Sequence, residues 1–366
     1  MLNHGEMGRS FAFHFLCDLL SGIPTGRHAI LNANGNFRWT ELIALTHEYR
    51  VSAAAAYAIE HRAPTASCPD GVGTFFLGRA THARQRNEGI RNEAIEIARI
   101  LNEIEVTPLF MKGGAYLASD LYPDIAIREM SDLDVLVPPA KLDDCIAALN
   151  EHGIVQMADE SHPRSHHHPQ LGRTDLAVPI ELHHAVLAYP HGDFLTSEEM
   201  QASAICHDMH GVRFSVPSPT IGVLHNIAHA QLNDHDSLYG RLDLRGLLDL
   251  AQLSNVYADE IDWSHIEQRF LEHRRRHALE YHVQWARRLG AKVPSPDRIG
   301  SVSQLLCRRA AYQVRKPELL SLSVRLLRPL VLLRRELSDS GLRRRFAGNV
   351  LKRDWWRRHL RMLTGT

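Results

Sequence analysis

Cysteine is scarce in this chain of 366 residues, and what there is lies scattered. Cys17, Cys68, Cys145, Cys206 and Cys307 form no C-x-x-C pair, which excludes a disulfide framework and a cysteine zinc site and favours a reducing, cytoplasmic setting. Net charge is absent as well: 42 Lys+Arg balance 42 Asp+Glu, so no global excess points to nucleic acid, a membrane or an acidic partner. No apolar run reaches the roughly 20 residues that a membrane span needs, because Arg325 and Arg328 interrupt the best stretch at 319–333. The apolar stretch 11–20 contains His14 and Asp18 and follows His4, Glu6 and Arg9, which does not read as a signal peptide. Internal repeats are missing too. The hydrophobic share of 44% and charged share of 23% are those of a folded globular protein, and the length suggests two or three domains of about 100–200 residues each.

Charge is unevenly placed. Residues 308–366 hold 16 Lys+Arg against 4 Asp+Glu, so the tail is strongly basic and the rest of the chain acidic by the same amount. Apolar positions at three- and four-residue spacing predict helices over 39–59 and 75–104, with Pro64 and the run 68–73 as a loop between them. The character then changes. Residues 107–114 read as a short strand ending in a glycine turn, 115–121 as a helix, 132–137 as a strand closed by Pro138-Pro139, 141–152 as a helix stopped by Gly153, 154–157 as a strand and 176–182 as another. Helical patterns return at 220–231, 242–253 and 263–289 and in the basic tail. The fold class expected is α+β, with a helical region at 1–104, a small mixed-sheet core at 105–190 and a helical region at 191–366.

Three features carry chemistry. Asp132 and Asp134 project from one face of a strand while Leu133 and Val135 enter the core, so two carboxylates stand side by side. Such a pair either binds a divalent cation or forms a plain solvent-facing edge. Upstream, Lys112-Gly113-Gly114 ends a strand and opens a helix, an arrangement that either holds phosphate oxygens on bare backbone N–H groups or is simple turn chemistry. Downstream, Glu181 is a lone acid in an apolar strand, with His183 on the same face; a third carboxylate suits a two-metal site.

In this order the residues resemble the nucleotidyltransferase superfamily of the DNA polymerase β type. More narrowly, MKGGAYLASDLYPDIAIREMSDLDVLV followed by IELHH is similar to an uncharacterised nucleotidyltransferase family in which K-G, an Arg four residues before D-x-D, and E-x-H recur together. The resemblance covers about 105–190, with weaker echoes near 225–250; the 17 residues between Gly114 and Asp132 exceed the spacing in compact members. It implies transfer of NMP from an NTP such as ATP to an acceptor hydroxyl on RNA, a peptide or protein, or a small molecule, with release of pyrophosphate. Asp132, Asp134 and Glu181 would be catalytic and hold two Mg²⁺ ions, with Mn²⁺ as a substitute. Lys112, Gly113, Gly114 and Arg128 would bind the nucleotide, Arg128 either on phosphate or paired with Asp132 or Asp134, and His183 would touch substrate. The same carboxylates also suit a phosphotransferase or a non-catalytic nucleotide-binding protein.

Other features compete. His162, His166, His167 and His168 form either a zinc cluster or a solvated loop, and their nearness to the expected site would let one touch substrate phosphate. His225 and His229, four apart, are either a ligand pair or packed interior, and no Glu completes H-E-x-x-H. Asp243 and Asp249 read as helix caps or ion-pair partners. The basic tail, with Arg343-Arg344-Arg345 and Trp355-Trp356, either docks on the acidic body or binds an anionic partner such as RNA, an acidic peptide or anionic lipid.

Overall fold

In the computed structural model, residues 4–22, 38–62, 68–157, 166–294 and 299–338 are described. His162 and the tail from 339 onward lie outside them. The chain begins with α1 (His4–Ser21), whose Phe13, Phe15, Leu16 and Leu19 are buried. The pattern at 39–59 forms two helices instead of one, α2 (Trp39–Glu48) and α3 (Ser52–Arg62), because Arg50 adopts a left-handed φ of 54°. Next comes α4 (Asp70–Glu103), 34 residues and so about 50 Å long; it already takes in Gly71 and Gly73, which sequence reading assigned to a loop.

The core elements are β1 (Leu109–Phe110), α5 (Lys112–Ala118), β2 (Leu133–Leu136), α6 (Leu142–Glu151), β3 (Val155–Gln156), β4 (Leu171–Gly172) and β5 (Ile180–His183), in the expected order save for β4, which forms where a polar loop was expected. After α7 (Ser197–Ala202) the structure adds a hairpin, β6 (Ile205–Met209) and β7 (Val212–Val216), in territory expected to be helical. His210 (φ 55°) and Gly211 (φ 83°) supply its two positive-φ turn positions. The described strands make one seven-stranded mixed sheet in the order β3-β4-β5-β2-β1-β7-β6, so the sheet extends past residue 190. Strand β7 pairs with β1 in parallel, and Asn102 of α4 pins the hairpin by exchanging hydrogen bonds with the Arg213 backbone (2.7 and 2.9 Å).

The helical half comprises α8 (Pro219–Ala228), a π turn (His229–Asn233), α9 (Asp236–Tyr239), α10 (Leu244–Val256), α11 (Trp263–Glu272), α12 (Arg276–Arg288), α13 (Ser301–Arg315) and α14 (Pro317–Ser338). The 263–289 pattern splits where Arg274 turns to φ 56°. One hydrophobic cluster joins α1, the sheet and the helices through α13, with Phe13 packed edge-on against Trp285 (6.2 Å between ring centroids). No helix among the described residues is long and apolar enough to cross a membrane.

Candidate active site

Strands β2 and β5 run in parallel with Leu133 opposite Ile180, Asp134 opposite Glu181 and Leu136 opposite His183. Two-residue alternation then puts Asp134, Glu181 and His183 on one face. Asp134 is 2% exposed, and two cationic groups meet it there: Lys112 Nζ donates to Oδ1 at 2.7 Å and His183 Nε2 lies 2.9 Å from the same atom. His183 Nε2 is also 3.7 Å from Glu181 Oε2, while Gln170 Nε2 donates to Glu181 Oε1 at 2.9 Å. Burial alone would raise the Asp134 carboxyl, yet the Lys112 charge and the His183 hydrogen bond hold it well below the usual range. Glu181 is drawn down to about 2, chiefly by His183 against the opposing effect of burial. For His183, burial disfavours the imidazolium, but its bonds to Asp134 and Glu181 outweigh that and raise its pKa. The centre is a buried ion cluster.

Asp132 lies just ahead of β2, half-buried, its carboxyl raised by burial and by the Asp134 charge. The donor atoms brought within 4.8 Å of one another are those of Asp134, Glu181 and His183, so the closest trio includes a histidine where Asp132 was expected. That oxygen, oxygen, nitrogen set fits a divalent cation: carboxylate oxygens suit Mg²⁺ and Mn²⁺, and imidazole suits the transition metals.

Lys112 opens α5 with φ 47°, a left-handed conformation uncommon for a side chain of its size. The glycines after it serve packing. A Cβ on Gly113 would stand 2.1 Å from Met130 Sδ, and one on Gly114 2.8 Å from Leu133 Cδ1, so both glycines let the segment entering β2 lie tight on α5. Arg128 does not turn to Asp132 or Asp134. Buried, it places Nε 2.8 and 2.9 Å from the two carboxylate oxygens of Asp249 on α10, with Tyr122 Oη donating to Asp249 at 2.5 Å. Asp249 is thus an ion-pair partner, as the sequence suggested, and a lone acid in the apolar run LLDLAQL was the signal for it.

The described histidines of the 166–168 run lie beside the site, outside the metal-competent trio. His166 stacks edge-on against His183 at 5.1 Å and is pushed down to about 3 by burial and by the His183 and His167 charges; His167 Nε2 is 4.0 Å from Glu181 Oε2. His225 is buried, as a packed interior requires, but its Nε2 has no partner among the described residues. His229 pairs with Asp234 instead of joining His225 on a metal. Sequence reading also passed over Arg245 of α10, which donates to the Glu129 carbonyl at 3.2 Å and eases the negative charge on Asp132.

A family model described as an uncharacterised nucleotidyltransferase matches residues 35–291. The chain belongs to that family. The match runs along the chain from before α2 to just beyond α12, so it contains the sheet, the carboxylate cluster, the Arg128–Asp249 pair and the His225–His229 face together. No curated protein and no solved structure matches the chain.

Proposed function

We propose that the protein is a metal-dependent nucleotidyltransferase that moves NMP from an NTP to an acceptor hydroxyl and releases pyrophosphate. The observation that carries this reading is the register of β2 against β5, which places Asp134 beside Glu181, with Lys112 donating to Asp134 Oδ1. Asp132, Asp134 and Glu181 would hold Mg²⁺ or Mn²⁺, with His183 orienting the last two. Bound there, the cation would neutralise phosphate charge and lower the pKa of the acceptor hydroxyl. Lys112, a quarter exposed at its side chain, carries the positive charge that faces the triphosphate. Gly113, Gly114 and Arg128 act from behind: the glycines seat the D-x-D segment on α5, and Arg128 anchors its approach to α10.

Isothermal titration of each NTP, with and without Mg²⁺, tests the reading against the Asp132→Asn/Asp134→Asn variant. Binding of an NTP that needs both metal and carboxylates is expected, followed by pyrophosphate among the products. NDP in place of pyrophosphate would make the chain a phosphotransferase, and binding indifferent to metal and carboxylates would remove the assignment.

A further inference from the structure

An imidazole–carboxylate pair stands on the helical side of the site. Where α8 ends, the chain widens into a π turn in which Asp234 N donates to His229 O at 3.1 Å. On a regular α-helix residues five apart point about 140° away from each other, at about 100° per residue. The wider turn brings Asp234 Oδ2 to 3.2 Å from His229 Nδ1. Isolated π turns of this kind collect at functional sites. Arg241 Nη2, 3.6 Å away, flanks the Asp234 carboxylate. Burial pushes that carboxyl up, but the His229 bond and charge, with Arg241, bring it down to about 2, so it remains an anion that fixes Nδ1 as the protonated nitrogen and leaves Nε2 basic.

The pair lies within electrostatic reach of the ion cluster. His225, one turn earlier, has its ring 6.0 Å from that of His229 and its own Nε2 buried without a partner among the described residues. His166, which stacks on His183, feels the His229 charge, and Asp234 feels Lys112. His229 keeps 24% of its side chain exposed, so an incoming molecule can reach it. The charged and titratable groups around it are therefore His225, Asp234, Arg241, His166 and Lys112. Glu181 is badly placed to accept a proton: Gln170 occupies one oxygen, and His183 and His167 flank the other.

We propose that His229, oriented by Asp234, is the general base that removes the proton from the acceptor hydroxyl. This rests on the nucleotidyl-transfer reading above. The hydroxyl proton passes to Nε2 and the oxygen forms a bond to the α-phosphorus. The bond from that phosphorus to the bridging oxygen breaks, and pyrophosphate leaves with the electron pair. The imidazolium then returns its proton to solvent.

The test uses the full chain, Mg²⁺ and the NTP that binds in the titration above, with ethanol and the more acidic trifluoroethanol as surrogate acceptors. Pyrophosphate release is followed against pH. His229→Ala is expected to lower kcat about 10²–10⁴-fold at unchanged NTP affinity, to lose the acid limb of the wild-type profile and to regain turnover with added imidazole. The loss should be smaller with trifluoroethanol, and Asp234→Asn should fall between wild type and His229→Ala. An active wild type with a His229→Ala variant that keeps the acid limb, or that imidazole does not rescue, overturns this inference alone. A wild type that releases no pyrophosphate with either alcohol overturns the nucleotidyl-transfer reading, and this inference with it.

Discussion

Asp134 shows how a single side chain sets the electrostatics of the site. Its carboxylate takes Lys112 and His183 on one oxygen, so each partner's charge depends on the others. The pH response follows from opposite shifts. Glu181 titrates near 2 instead of 4.5, so its contribution to stability is present above the unfolded value and is lost as pH falls towards 2. His183 is raised above 6.5, so its contribution is full below that value and fades as pH climbs through the folded one. Urea midpoints measured across pH should therefore be highest between about 4.5 and 6.5, as far as these two groups decide, and Glu181→Gln should flatten the acid side. The acidic part of this arrangement was legible because strand alternation makes Asp132-x-Asp134 and Glu181-x-His183 share faces. That His183 reaches across to Asp134 was not, since it joins side chains 49 residues apart on two different strands.

At the scale of elements, α4 is the support on which the site rests. Arg79 meets Glu129 at 3.2 Å, Arg84 pairs with Asp124, Asn87 donates to the Ile125 and Arg128 carbonyls at 2.6 and 2.8 Å, and Glu93 accepts from Ala177 N at 2.6 Å. On the other side, the Arg128–Asp249 pair ties the approach to β2 to α10. Arg128→Met should destabilise the protein by about 3–5 kcal/mol in chemical denaturation because it strands a buried carboxylate, and adding Asp249→Leu should recover most of that loss. Gly114→Ala should cost about 1–3 kcal/mol by crowding Leu133, which is fully buried between the two aspartates in sequence. Helix periodicity located most helices. It missed the breaks at Arg50 and Arg274, where non-glycine residues take positive φ, and the β6–β7 hairpin, whose outer strand is too exposed to show an apolar face. The alternation Val212, Phe214, Val216 behind His210-Gly211 was the available signal.

Across the whole molecule, the three regions read from sequence share one hydrophobic cluster, and Arg9 of α1 donates to the Val314 carbonyl of α13 at 2.8 Å. Ligand binding at the sheet should therefore stabilise the chain as a unit. With Mg²⁺ and its NTP at about a hundred times Kd, the wild type should gain about 2.7 kcal/mol, read as a rise in Tm, and the Asp132→Asn/Asp134→Asn variant should gain little. The sheet order bears on how the protein is made. Strand β1 lies between β2 and β7, and the counter-charge of Arg128 waits at Asp249. A nascent chain that has emerged only as far as β5 already carries every acid of the centre, yet β1 lacks one neighbour and a buried arginine has no anion. Ribosome-bound chains halted before residue 216 should thus be protease-sensitive through the sheet, and those released past 249 resistant, so the carboxylate cluster matures only after about two-thirds of the protein has been synthesised.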